Sequence, residues 1–245
     1  LEYCVKVDSH SQGMPLPQQG QTQFQNKAIP FSRINRDEVA SPYVIPGIRQ
    51  VKIDPQLNPA YSFDNFVEGS CNRLARTAGL SIADKPGGPF NPLFVYGGSG
   101  LGKTHLGQAI GIEIKKRMPE KIVLYVSANL FQIQFMDAVN VKNKLTDFMH
   151  FYQMIDVLII DDVQDFAGKP GTQNAYFNIF NHLHQSGKQL ILTSDKAPVD
   201  LKDLDDRLLS RFKWGLSAEL QSPDYATRLA ILEKKCYNEG VEVPR

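Results

Sequence analysis

At 245 residues the chain has room for one sizeable domain with a tail, or for two small domains. A hydrophobic share of 42% places it among globular chains. Lys+Arg 27 against Asp+Glu 26 leaves a net charge of +1, so no strong global field draws in nucleic acid and any such contact must be local.

Cys4, Cys71 and Cys236 are odd in number and far apart. They suggest neither a disulfide framework nor a zinc knuckle, and a reducing cytoplasm suits them best. No leader-like segment is read, and no apolar run approaches the roughly 18 residues of a membrane span.

In chain order, Leu1–Val7 reads as a lone strand, the end of something longer. Residues 8–59 are rich in Gln and Pro and lack periodicity. Such a stretch cannot bury enough apolar surface to offset chain entropy, so it reads as a flexible linker, either a spacer or a docking strip for a partner. From Tyr61 onward the pattern changes. Leu93–Tyr96, Ile122–Val126, Val157–Ile160 and Leu190–Leu192 are short apolar runs separated by segments of helical period. Alternating buried strands and helices predict an α/β fold, a parallel sheet with helices on both faces. In such sheets ligands gather at the carboxyl ends of the strands.

The first strand runs into Gly97-Gly98-Ser99-Gly100-Leu101-Gly102-Lys103-Thr104, a phosphate-binding loop of the form G-x-x-x-x-G-K-[ST]. Leu106, Ile110 and Ile114 behind it predict a helix that Met118-Pro119 ends. Glycines let backbone N–H groups face phosphate oxygens, and the helix N-terminus adds partial positive charge. In such a loop Lys103 reaches the β- and γ-phosphates of ATP, and the Thr104 hydroxyl is a Mg²⁺ ligand. His105, next in line, reads as a packing residue.

The third strand ends in Asp161-Asp162. Behind a phosphate loop, Asp161 would hold Mg²⁺ and Asp162 would act as general base toward the attacking water; the alternative is a solvated turn. Thr193-Ser194-Asp195 ends the fourth strand, where a hydroxyl or a carboxylate, Ser194 and Asp195 foremost, could orient that water or simply form a turn. Arg207 and Arg211 lie four apart on a predicted helix, hence on one face. They are surface salt-bridge partners, or Arg211 is an arginine finger acting in trans on a neighbouring subunit's ATP. His182 and His184 point apart on a helix and suggest no shared metal.

Taken together these segments resemble the DnaA family of bacterial replication initiators, which are AAA+ ATPases. The resemblance runs from about Asn58 to Pro244. Asn58–Gly69 is similar to the segment leading into the family's adenine pocket, which implies nucleotide contacts from Phe66 and Val67 and, beside the loop, from Leu101 and His105. Ile160–Gln164 resembles the Walker B strand, Leu192–Asp195 the first sensor, and Arg207–Phe212 with Trp214-Gly215-Leu216 the arginine-finger box.

The resemblance implies a P-loop AAA+ domain over residues 60–220, a truncated helical lid over 221–245 without the second sensor arginine, and, before the linker, the end of an N-terminal interaction domain at 1–7. It implies a slow ATPase that works as a switch. Its partners would be ATP and ADP, further copies in a filament, origin DNA, and a replicative helicase or loader reached through the N-terminal domain. Lipid binding is a further family expectation. Asn129–Tyr152 occupies the place of helices that grip single-stranded DNA, with Val141, Lys142 and Lys144 as candidates; a solvated helix face is the alternative. The duplex-reading domain of the family is absent from this piece. A helicase loader or initiator-regulating AAA+ protein is the competing reading; the long segment before Tyr61 argues against it. A nucleotide-insensitive scaffold is a third, and Lys103, Thr104, Asp161 and Asp162 argue against that.

Overall fold

The structure, a computed structural model, describes residues 53–141 and 144–241. The strand expected at Leu1–Val7, most of the linker, and Lys142 lie outside the described residues. Five strands form one parallel sheet: β1 (Leu93–Tyr96), β2 (Val123–Ser127), β3 (Val157–Asp161), β4 (Gln189–Ser194) and β5 (Leu216–Glu219), in the order β2-β3-β4-β1-β5. The helices are α1 (Arg73–Asp84), α2 (Lys103–Arg117), α3 (Ala128–Asn140), α4 (Lys144–Gln153), α5 (Pro170–Gln185), α6 (Asp206–Phe212) and α7 (Tyr225–Glu239).

Strand alternation sorts the core into two layers. Leu93, Val95, Val157, Ile159 and Ile191 face α1 and α2. Phe94, Leu158, Ile160, Leu190 and Leu192 face the layer that holds α3 to α6. Both faces are therefore covered, which is why these strands read as unbroken apolar runs rather than as alternating ones. In the second layer Phe131 of α3 sits among the rings of Phe148, Tyr152, Phe166 and Tyr176 at centroid distances of 4.8–5.7 Å. This aromatic cluster fastens the α3–α4 pair to the rest of the domain.

Local signals set the helix ends. Asp205 and Asp224 accept from the backbone N–H groups of Arg207 and Thr227 at the starts of α6 and α7. Gly240 closes α7 in the left-handed conformation.

Two features depart from the sequence reading. The fifth strand was not anticipated: β5 is a four-residue edge strand in which only Ala218 is buried. The domain also starts earlier than residue 60. Ile53 and Leu57 pack against the two core layers. The Pro55 carbonyl accepts from Tyr125 N at 3.0 Å, along the outer edge of β2. Asn58 N donates to Gln108 Oε1 of α2 at 2.8 Å. Residues 53–58, assigned to the linker on composition, are thus part of the domain; three or four well-placed contacts outweigh a polar, proline-bearing local sequence.

Candidate active site

The carboxyl ends of β1, β3 and β4 meet the N-terminus of α2. The β1–β4 ladder runs on by one bond, from Gly97 N to Ser194 O, and the chain then turns into the loop. Gly97 has φ +151°, and a Cβ there would stand 2.3 Å from the Leu220 carbonyl oxygen, so only glycine fits this turn. At the far end of the loop Gly102, φ +96°, caps α2, with the Phe66 ring 3.2 Å from where its Cβ would be. Gly98, Ser99 and Gly100 between them are exposed.

Lys103 is buried, and its ammonium donates to the carbonyls of Gly97 and Gly98 at 2.8 and 2.9 Å. An ammonium has three donors, so two bonds fix its place in the loop and one remains for an anion. Thr104 Oγ1 donates to Asp161 Oδ2 at 2.7 Å, tying the start of α2 to the end of β3. Asp161 is buried and also accepts from the hydroxyls of Thr193 and Tyr125, the latter at 2.8 Å. Burial, and then the neighbouring Asp161 charge, push the Tyr125 hydroxyl above its ordinary pKa, so it stays a donor.

Asp162 takes a left-handed backbone, φ 59° and ψ 54°, and starts a 3-10 turn over Val163–Phe166. Its N–H donates to Thr193 Oγ1 at 2.9 Å, and its Oδ1 accepts from Gln164 Nε2 at 3.1 Å. Gln164 Oε1 in turn accepts from Asp195 N at 3.3 Å, so one amide spans the two acids. Ser194 is buried, and its Oγ accepts from Lys196 N at 3.2 Å, the bond of a hydroxyl turn.

Beside the loop lies a cavity of about 710 Å³. Phe66, Val67, Leu101 and His105 line it, with Ile231 and Lys235 of α7 on the opposite wall. His105 sits between Tyr61 and Phe66 at ring distances of 5.1 and 5.2 Å, and burial pushes its pKa down. Its Nε2 lies 2.9 Å from the Ser62 carbonyl, which can only accept, so Nε2 carries the proton. Asn238 of α7 donates to Asn65 at 3.1 Å across the cavity.

The structure does not bring Arg211 to the loop. Its Nε donates to Asn181 Oδ1 of α5 at 2.7 Å, and its guanidinium lies over Phe177 and Trp214. Arg207 is engaged by the half-buried Asp205, whose carboxyl its hydrogen bonds hold down to about 2.

The structure brings Lys103, Thr104, Asp161 and Asp162 to one point, with Thr193 of the Thr193-Ser194-Asp195 strand end beside the two acids. The sequence reading misses Tyr125 and Gln108 and gives Gln164 no role of its own. Tyr125 carried no local signal.

The oxygen set of Thr104 and Asp161 suits a hard cation. Among the described residues no cluster of three or more acidic, His or Cys side chains could hold a metal. A Mg²⁺ here would take its remaining ligands from phosphate and water, as that ion prefers.

The bacterial DnaA ATPase domain family matches residues 57–219. A chromosomal replication initiator DnaA of Flavobacterium psychrophilum is 57% identical over 100% of this chain and 52% of its own length. The chain therefore spans about half of that relative. Domain III of the Thermotoga maritima initiator superposes with a TM-score of 0.75 at 45% identity, covering 77% of this chain and 78% of that one. A replication initiator DnaA bound to AMPPCP and single-stranded DNA gives 0.72 at 39% identity, covering 78% and 58%. The chain belongs to the bacterial DnaA family, with residues 57–219 matching the family's ATPase domain.

Proposed function

We propose that this protein is an ATP-dependent initiator of chromosomal replication, which binds ATP, assembles on origin DNA, opens the duplex, and resets by slow hydrolysis. The observation that carries the reading is the Thr104–Asp161 hydrogen bond at 2.7 Å, with Lys103 buried in the loop beside it. It joins the phosphate-binding helix to the acidic strand end, as nucleotide hydrolysis requires. A relative bound to AMPPCP and single-stranded DNA supports both ligand classes.

In this mechanism the loop N–H groups and Lys103 hold the phosphates, and the base and ribose occupy the cavity lined by Phe66, Val67, Leu101 and His105. Thr104 and Asp161 would hold Mg²⁺, which when bound would offset phosphate charge. Asp162 takes the proton of the attacking water. Gln164 aims its carboxylate, and Asp195, on the other side of that amide, helps to orient the water. Ser194 acts from the turn at the end of β4.

Arg211 reaches a neighbour's ATP, and copies line up as a filament. The pair α3 and α4, which exposes Ile133, Met136, Val139 and Val141, contacts single-stranded DNA, with the helicase or its loader meeting a separate N-terminal domain. Such a protein works in the cytoplasm; no described helix is long and apolar enough to cross a membrane.

Asp162→Asn tests the assignment of the two acids. Asn tolerates the left-handed backbone as well as Asp does, so the fold is undisturbed. The variant binds a fluorescent ATP analogue with unchanged affinity and hydrolyses ATP about 10²–10⁴-fold more slowly, the usual contribution of a general base. Loss of binding instead would show that Asp162, not Asp161, serves the metal.

A further inference from the structure

Arg207 and Arg211 lie one turn apart on α6 and share the ring of Phe177, each with its guanidinium carbon 4.6 Å from the centroid. Their surroundings differ. Arg207 gives Nε and Nη2 to the Asp205 carboxylate at 2.7–3.2 Å, so its charge is neutralised inside its own subunit. Arg211 meets no carboxylate among the described residues. Its neighbours are the Phe177 and Trp214 rings and the neutral amide of Asn181.

Phe177 and Asn181 are four apart on α5, hence on one face. Asn181 Oδ1 accepts from Nε alone, at 2.7 Å. Of the two Nη groups, Nη1 makes only a long contact, 3.4 Å to the Arg207 carbonyl, and Nη2 has no hydrogen-bond partner among the described residues.

We infer that Asn181 is a positioning residue for Arg211: with Phe177 and Trp214 it holds the guanidinium by its inner edge and presents the outer Nη pair, still fully charged, to an anion on another subunit. This rests on the reading that Arg211 enters a neighbour's nucleotide site. The rings attract the cation without cancelling its charge, and a carboxylate in place of Asn181 would cancel it. Because Nε is held and the plane is set by two rings, rotamer freedom is already lost before the subunits meet. The same geometry separates the two arginines: Arg211 is prepared for an external acceptor, and Arg207 is not.

The test uses the full-length protein that carries this domain. Asn181→Leu keeps the volume and removes the acceptor. It should bind the fluorescent ATP analogue as the parent does, keep its melting temperature within a few degrees, and need about tenfold more protein for ATP-dependent assembly by sedimentation, the effect of one hydrogen bond to a charged group. Asn181→Ala is held to the same outcomes should the leucine variant fold poorly. In an Arg211→Ala background, where no assembly remains to be read, Asn181→Leu should leave the melting temperature unchanged, whereas a merely structural Asn181 would lower it there as well. If Asn181→Leu assembles like the parent while Arg211→Ala does not, Arg211 needs no positioning and the inference is overturned, with the trans reading intact. If Arg211→Ala itself assembles normally, the trans reading falls and takes the inference with it.

Discussion

Lys103→Ala abolishes measurable ATP binding. Lys103 is the cation of the Gly97–Thr104 loop: its side chain is buried in it, two of its three donors fix it on the Gly97 and Gly98 carbonyls, and the third remains for an anion, on the proposed reading a phosphate. Alanine removes the charge and also leaves those two carbonyls without their donor, so the loop loses both its attraction for phosphate and a brace that holds its shape. A charge-assisted bond in such a site contributes about 1.5–3 kcal/mol, and the loss of the brace comes on top. The expected fall in affinity is therefore roughly a hundredfold or more, read by titration with a fluorescent ATP analogue. Unchanged affinity would rule out the loop as the nucleotide site. The core layers do not involve Lys103, so the circular dichroism spectrum should be unaltered.

The second large effect falls on assembly. Arg211→Ala leaves each subunit's ATP affinity intact, because no contact of Arg211 reaches the loop or the adjoining cavity. It removes ATP-dependent oligomers, and where hydrolysis depends on the guanidinium it lowers the rate by about 10³–10⁵-fold. Lysine would not substitute, since a point charge cannot fork across two oxygens. Mixing separates trans from cis action. An Arg211→Ala subunit still carries an intact loop, and a Lys103→Ala subunit still carries an intact Arg211, so the mixture recovers activity that neither variant has alone. A monomeric Arg211→Ala protein that fails to bind ATP would place the residue in its own subunit's site.

How much of this was legible beforehand follows from how far each feature depends on distant residues. The phosphate loop is a local backbone device, so its residues announce it. Strands β1 to β4 are buried on both faces, and a continuous apolar run marks each of them. The sequence β5 carries, Leu-Ser-Ala-Glu, is half exposed and has no such run. The partners of Asp161 were hidden for another reason. Tyr125 is 36 residues away and Thr193 is 32, and they meet the acid only because β2 and β4 flank β3 in the sheet. The same holds for Asn181, which stands 30 residues from Arg211 and reaches it only because α5 packs against α6. Strand order is a property of the whole chain, and no window of residues contains it.

The contact between Pro55 and Tyr125 bears on how this domain can be cut out and handled. β2 is an outermost strand, and Pro55 pairs with its outer edge while Ile53 packs on the core layer beside it. A fragment starting at residue 60, where composition alone would place the cut, bares the Tyr125 amide and takes Ile53 away from the core layer that holds Leu124 and Val126. Open strand edges beside apolar side chains recruit other chains, so that fragment should precipitate at concentrations where one starting ahead of residue 53 stays in solution. Light scattering of the two fragments side by side measures the difference; equal solubility would mean that the segment shields nothing.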